Sequence, residues 1–355
     1  MNAKTLKSLK LSNHKLRRCR MNSLKCALLA SAVTLADLTT SAAWTVNNAS
    51  SPTEITSEDG IVLKVSVLSS SAKTLRVTGA TTMNGQTVVD LSTGIDGGWK
   101  VTILNSGAEG FGGKFSGITT FRAPDVESVT SYSFTWHKTL ADVYFPSCTN
   151  ISRQAFNNCT ALTNAVFSPK LEAIGFQAFY NNTALVSFSP MTLTKLTTLG
   201  EQAFTTCSKL QGEWILDSPA ITSLPNGVFW SNKAVTNFVF RKSAVTALGE
   251  WALYSVAENG GSVYFHHTAP TLGANAICAT SNSKRLRIYV PDLDENEDWK
   301  TRMAKCVDYF NSHNSYEKDS DYPGPKTAGM IKMAEIYYSW VIPWTPSAGL
   351  MLIIR

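Results

Sequence analysis

His266 and His267 stand side by side, and an acidic run follows them at Asp292, Asp294, Glu295, Glu297 and Asp298. Paired imidazoles could ligate a metal, and Asp292-x-Asp294-x-Asn296 has the spacing that opens an EF-hand calcium loop. Neither pattern goes further. The histidines close a β-prone run, where adjacent side chains point to opposite faces, so a solvated strand end is the better reading. Glu297 fills the place where the calcium loop needs Gly, and acids ahead of a helix are accounted for by its N-terminal dipole. The sequence holds no G-x-S-x-G elbow, no H-E-x-x-H and no phosphate loop. No catalytic residue, metal site or cofactor is therefore expected, and nothing singles out the carboxylate pair that a surface polymer hydrolase would need.

Cysteine chemistry is equally sparse. Of seven cysteines, Cys148, Cys159, Cys207, Cys278 and Cys306 lie beyond residue 43, widely spaced and without a C-x-x-C. An odd, scattered set is not a disulfide framework. What does repeat is a larger pattern, I/L-G/x-x-x-A-F-x-x-C/N-x-x-L-x-x-x-x-F. It runs from Asn150 to Phe167, Ala173 to Phe188, Thr198 to Leu216 and Ser223 to Phe240, with degraded copies at Ser128 to Phe145, Ala247 to Ser255 and Thr271 to Ala279. The anchors Phe134, Phe156, Phe179, Phe204, Phe229, Leu253 and Ile277 are 22, 23, 25, 25, 24 and 24 residues apart.

A recurrence of this kind is the signature of a solenoid. Each copy has a first half whose apolar residues are spaced for one helical turn, with Ile174, Ala178 and Phe179 inward. Its second half is β-prone, as in Val235–Phe240. Burying five side chains gives about 7–15 kcal/mol, less than the cost of ordering some two dozen residues. The copies must therefore stack, each strand pairing with the next about 4.8 Å away. Cys159, Asn182, Cys207 and Asn232 all fall three residues after an anchor, which suits a buried ladder satisfying turn backbone groups. Two strand spacings between Cys159 and Cys207 are too far for a disulfide.

The A-F-x-x-C-x-x-L core resembles the BspA-type leucine-rich repeat of bacterial and protist surface proteins, over about Val126 to Val290. Leu253 and Ile277 depart from it in replacing the anchor Phe, and Gln211–Leu216 carries an extra residue. The expected fold is an α/β repeat solenoid: a leucine-rich-repeat-like stack of parallel strands with short helical turns and a β-rich N-terminal cap. The resemblance implies a role in adhesion to host or matrix proteins.

Charge and flanks place this array outside the cell. The formal net charge is +6, but residues 1–43 hold eight basic side chains and only Asp37 as an acid, leaving 24 basic and 25 acidic residues beyond them. A near-neutral body has no footprint for nucleic acid. The basic start, the apolar run Cys26 to Leu38 and the small residues Ser41-Ala42-Ala43 read as a signal peptide over 1–43. Residues 44–125 form a β-rich N-terminal section or degenerate rungs, 126–291 the repeats, and 292–312 a C-terminal capping helix. A linker and apolar tail follow over 313–355, and the ending resembles a bacterial sorting tail that could attach the chain to an envelope.

Function is then expected of the surface. Residues alternating with inward ones on the strands should form a row across rungs: Tyr144, Val166, Ser187, Val239, Tyr264 and Tyr289, with Arg241, His266 and Arg287 nearby. Tyrosine offers apolar area and a polar tip. Trp214, Trp230 and Trp251 read as core or repeat-packing residues. The expected protein is a secreted or cell-surface, non-enzymatic binder of extracellular protein or glycan, the alternative being a structural spacer without a specific ligand.

Overall fold

The computed structural model describes residues 44–105, 111, 115, 117–242, 245–257, 261–265, 270–273, 276–278, 287–291 and 335–339. All of them fall in one compact unit, Ser41–Val341. The leader, the acidic run, His266, His267 and the segment 292–312 lie outside the described residues.

The repeats build a parallel β-solenoid of about seven turns. Each turn supplies a longer and a shorter strand. The longer strands Val88–Asp90, Thr120–Arg122, Asp142–Phe145, Asn164–Phe167 and Ser187–Ser189 pair in that order, all parallel. A second ladder then runs through Thr192–Leu193, Gly212–Leu216, Val235–Phe240, Ser262–Phe265, Arg287–Pro291 and Glu335–Ser339. The shorter strands are two residues each: Ser128–Val129, Asn150–Ile151, Ala173–Ile174 and Thr198–Leu199, and further along Ser223–Leu224, Ala247–Leu248 and Thr271–Leu272. Ahead of them Thr45–Val46, Glu54–Thr56, Val62–Ser69 and Thr74–Thr82 are antiparallel. Thr74–Val77 then pairs in parallel with Lys100–Leu104, which joins this sheet to the short strand Ser128–Val129.

The period of the sequence becomes a column of rings. Phe134, Phe156, Phe179 and Phe204 are 5.2 Å from one ring centroid to the next with interplanar angles of 5° to 8°, and Phe229 follows at 5.6 Å and 11°. Spacing that matches the strand ladder is what a backbone stacked in register imposes. Phe111, 5.2 Å from Phe134, stands one rung earlier and extends the column. Alternation along the longer strands supplies the opposing wall of buried rings: Phe145 stacks on Phe134 and Phe156, while Phe167, Phe188 and Trp214 pack edge-on against the anchors. Ile174, Ala178 and Phe179 all point inward, as their spacing indicates.

The expected helical turns are not formed. Among the described residues there is no α-helix, and the 3-10 turn Asp96–Gly98 lies outside the repeats. The reason is where the amides go. An α-helix needs each N–H to bond four residues back along its own chain. Here Gln154, Phe156 and Asn158 donate instead to the carbonyls of Phe176, Ala178 and Tyr180 in the next rung, at 2.8 Å each. The pattern recurs at Gln177, Phe179 and Asn181, and at Gln202, Phe204 and Thr206. To aim alternate N–H groups sideways the backbone enters the left-handed region twice per rung, as at Gln154 (φ 52°) and Asn158 (φ 60°). One apolar pattern fits a helical turn and this double turn alike; inter-rung bonding decides between them.

Close stacking leaves no room above the start of the turns that begin at Gly175, Gly200, Gly249 and Gly273. A Cβ on Gly200 would sit 2.3 Å from the Phe176 nitrogen and 2.4 Å from the Gly175 carbonyl carbon. That contact is why the repeat pattern carries glycine there.

Candidate functional site

Three positions of the repeat put polar or aromatic chemistry at regular intervals: one inside the array, one on the longer strands and one on the turns.

The inner position is the third residue after each anchor. Cys159 Sγ donates to the carbonyl of Phe134 at 2.9 Å, Cys207 Sγ to that of Phe179 at 3.1 Å, and Asn232 Nδ2 to that of Phe204 at 2.7 Å. Each reaches the anchor of the preceding rung, giving the Phe179 carbonyl a donor and the Phe134 and Phe204 carbonyls a second one beside the backbone N–H groups of His137 and Cys207. His137 belongs to the same column, its ring donating to the Phe111 carbonyl. Burial holds its pKa down at about 4, against the smaller raising effect of that bond. Burial pushes the Cys207 thiol up to about 12 and raises Cys159 as well; Cys148, buried near Phe145, is also pushed up to about 12. These thiols are free and buried, so the column is structural chemistry, as the sequence suggests.

On the longer strands, pairing brings only part of the expected row together. Tyr144 and Val166 are cross-strand partners, but Ser187 pairs with Asn164, two positions along; Ser189 is the partner of Val166. In the second ladder Ile215, Val239 and Tyr264 are in register, and the register continues to Tyr289 and Tyr337. The two stretches belong to different sheets, divided where the chain passes from Ser189 to Thr192. Tyr144 and Tyr264 are thus five strands apart, roughly 24 Å. Tyr144 is exposed, while Val166, Val239 and Tyr264 are half-buried. Arg241 is engaged: its guanidinium grips buried Asp217 through Nε at 3.0 and 3.1 Å and through Nη2. Arg287 pairs with Ser262 along the backbone, and His266 lies outside the described residues.

The turns carry what sequence reasoning passed over. Trp214 is core, 3 % exposed. Trp251, also read as a packing residue, is 39 % exposed and meets Trp230 with ring centroids 5.1 Å apart; Trp136, at the other end of the array, is 62 % exposed. Between them an amide ladder crosses three rungs, Gln154 Nε2 to Gln177 Oε1 and Gln177 Nε2 to Gln202 Oε1, both 2.6 Å. The signal was present: Tyr132, Trp136 and Trp251 interrupt positions where other copies have Gln, Asn, Ser, Thr or Gly. Tyr337 had no comparable signal, since it lies 48 residues after Tyr289.

A cavity lined by Leu91, Trp99 and Ala123 has a volume of about 10 Å³, room for one water at most. Among the described residues no three His, Cys, Asp or Glu side chains converge as a metal site would require.

Several solved structures are similar to this chain. One is a leucine-rich repeat protein from Bacteroides ovatus ATCC 8483, at 16% identity over 65% of this chain and 71% of that one, TM-score 0.43. Another is the T. pallidum leucine rich repeat protein, at 17% identity over 52% and 87%, TM-score 0.36. A leucine rich cell surface protein from Faecalibacterium prausnitzii A2-165 aligns at 14% identity over 69% and 90%, TM-score 0.32. No curated protein matches the sequence. Residues 127–259 match the family model of the BspA type leucine rich repeat region in six copies. With the ring column at their centre, these residues are a BspA-type leucine-rich repeat array.

Proposed function

We propose that this chain is an exported, non-enzymatic binding protein that displays the outer face of its longer strands to an extracellular protein. The observation that carries the reading is the register Ile215, Val239, Tyr264, Tyr289 and Tyr337 on five successive strands. Parallel pairing makes these positions one row, and tyrosines backed by aliphatic neighbours are the composition of an interface centre. A rigid ladder holds such a row without an ordering cost at the moment of binding. The basic leader with its apolar core and small residues near Ala43 supports export, and the family match supports a place at the cell surface.

The test is capture of matrix proteins by the immobilised full chain, with Tyr264→Ala beside it. Binding that falls at least tenfold in the variant, at an unchanged unfolding midpoint, is the expected result. Binding to nothing above background would favour the spacer reading.

A further inference from the structure

We infer that the turn face of the array is a second binding surface, for a neutral linear polysaccharide lying along the stack. The argument starts from positions two before, one after and two after the anchor in the six rungs from Phe134 to Leu253. None of these eighteen residues is charged, in a chain where 16% are. These positions themselves offer no charge to a nucleic acid, an acidic glycan or a charged peptide, and the charges beside them are of mixed sign: Lys138 over Trp136, Arg153, Glu201 and Glu250. The positions offer primary amides and aromatic rings.

The indoles sit at the two ends, with Tyr180 between them. Trp136 projects into solvent from the first rung, and Trp251 lies against Trp230 across the last two, with Tyr254 6.2 Å from Trp230. Packing does not explain them, because Trp136 and Trp251 are the most exposed indoles among the described residues. Conformation does not favour them either: Trp136 has φ 64° and Trp251 φ 53°, a left-handed region that bulky residues seldom occupy. Other rungs fill the same two positions with Gln154, Asn158, Asn181 or Gly227. A strained, exposed indole contributes to a surface what it does not contribute to a core.

Between the ends runs the ladder Gln154–Gln177–Gln202. Each primary amide has two N–H donors, so bonding along the ladder uses one each of Gln154 and Gln177 and neither of Gln202. The amides recur at the rung spacing, about 4.8 Å, close to the length of one sugar unit in an extended chain. A pyranose has an apolar face of axial C–H bonds and a rim of hydroxyls. The face packs on an indole and the rim bonds to amides. Five rung spacings, roughly 24 Å, separate the aromatic ends, enough for several sugar units.

Affinity electrophoresis of the full chain through gels containing hydroxyethylcellulose, xylan or galactomannan tests this, with polygalacturonate as the acidic comparison. Retardation by at least one neutral polymer is expected. Trp251→Ala should weaken it at least tenfold, Trp251→Phe should retain most of it, and Tyr264→Ala should leave it unchanged. That last variant separates this surface from the strand row, so either can fail alone. In the unmodified protein, the retarding polymer should also shield tryptophan fluorescence from acrylamide quenching, a readout independent of any variant's folding. No retardation by any neutral polymer, retardation by polygalacturonate alone, or retardation that survives Trp251→Ala and Trp230→Ala would overturn the proposal.

Discussion

Cys207 donates its thiol proton to the backbone carbonyl of Phe179, the anchor residue one rung earlier, across 3.1 Å. A side chain of one rung thereby completes the backbone of another, and Cys159 does the same for Phe134. Asn232 substitutes an amide in the same role. In Asn182 both amide atoms lack a hydrogen-bond partner among the described residues, so the column is not uniformly satisfied.

The thiols should be silent in the folded chain. With Cys148 and Cys207 pushed up to about 12 by burial, the thiolate that reacts is scarce at pH 8, and reagent has no access. Labelling by 5,5′-dithiobis(2-nitrobenzoate) should leave all three of Cys148, Cys159 and Cys207 unmodified in buffer and modify them in denaturant. Rapid native labelling, located by peptide mass mapping, would contradict the burial.

Glycine between rungs gives a sharper comparison. Gly200→Ala places a methyl 2.3 Å from the Phe176 backbone nitrogen, whereas a Cβ on Gly79 meets nothing within 4 Å. Overpacking of this kind costs about 1–3 kcal/mol, and backbone cannot rotate aside. Urea unfolding should show Gly200→Ala clearly destabilised and Gly79→Ala within about 1 kcal/mol of the parent.

His137 makes the fold sensitive to mild acid. Its pKa is about 4 in the folded chain against an ordinary 6.5, so between those values the unfolded chain binds more protons. Its contribution is complete above about pH 6.5 and lost as pH falls to about 4, on the order of 3 kcal/mol. His137→Gln should lose less stability than the parent between pH 7 and pH 4.5. The difference in urea midpoints, followed against pH, isolates this residue from the carboxylates common to both proteins.

The buried ion pair should respond unequally to its two removals. Arg241→Met strands a carboxylate whose side chain is 3 % exposed, while Asp217→Asn leaves a guanidinium at 20 %. Uncompensated buried charge costs about 3–5 kcal/mol, and a partly solvated one less. The expected order, read by thermal and urea unfolding, is Arg241→Met well below Asp217→Asn. The reverse order would mean that Asp217 finds other partners.

What was legible in the sequence follows from how local each signal is. The anchor column could be read because one Phe every 22 to 25 residues needs no knowledge of neighbours, and the rings do stack. Phe111 was missed because no A-F-x-x-C core surrounds it. The turns were misread because donation from Phe156 to Ala178 is a bond between rungs, invisible to a one-dimensional apolar pattern; Asn158, Asn181 and Gly227, types that tolerate positive φ, were the available hint. Alternation along Val235–Phe240 identified Val239 as outward, and register then carried it to Tyr264. The row broke at Ser187 because Phe188 follows its anchor by nine residues where Phe167 follows its own by eleven, so Phe188 pairs with Ala165, and no strand carries a mark of its partner's offset. Trp251, read as a core or repeat-packing residue, does pack on Trp230 of the neighbouring rung but is 39 % exposed, an exposure that residue type alone does not reveal.

Because the turn amides of each rung bond to the rung after it, the array has a mechanical grain. Force applied across the stack loads every ladder at once, while force that lifts the terminal rung breaks only one set of bonds before the next is engaged. A chain tethered at one end and pulled from the other should pay out in steps, each freeing about two dozen residues, or roughly 80 Å of extended backbone. Such a protein would yield to tension by lengthening gradually while the rungs still stacked keep their surfaces intact.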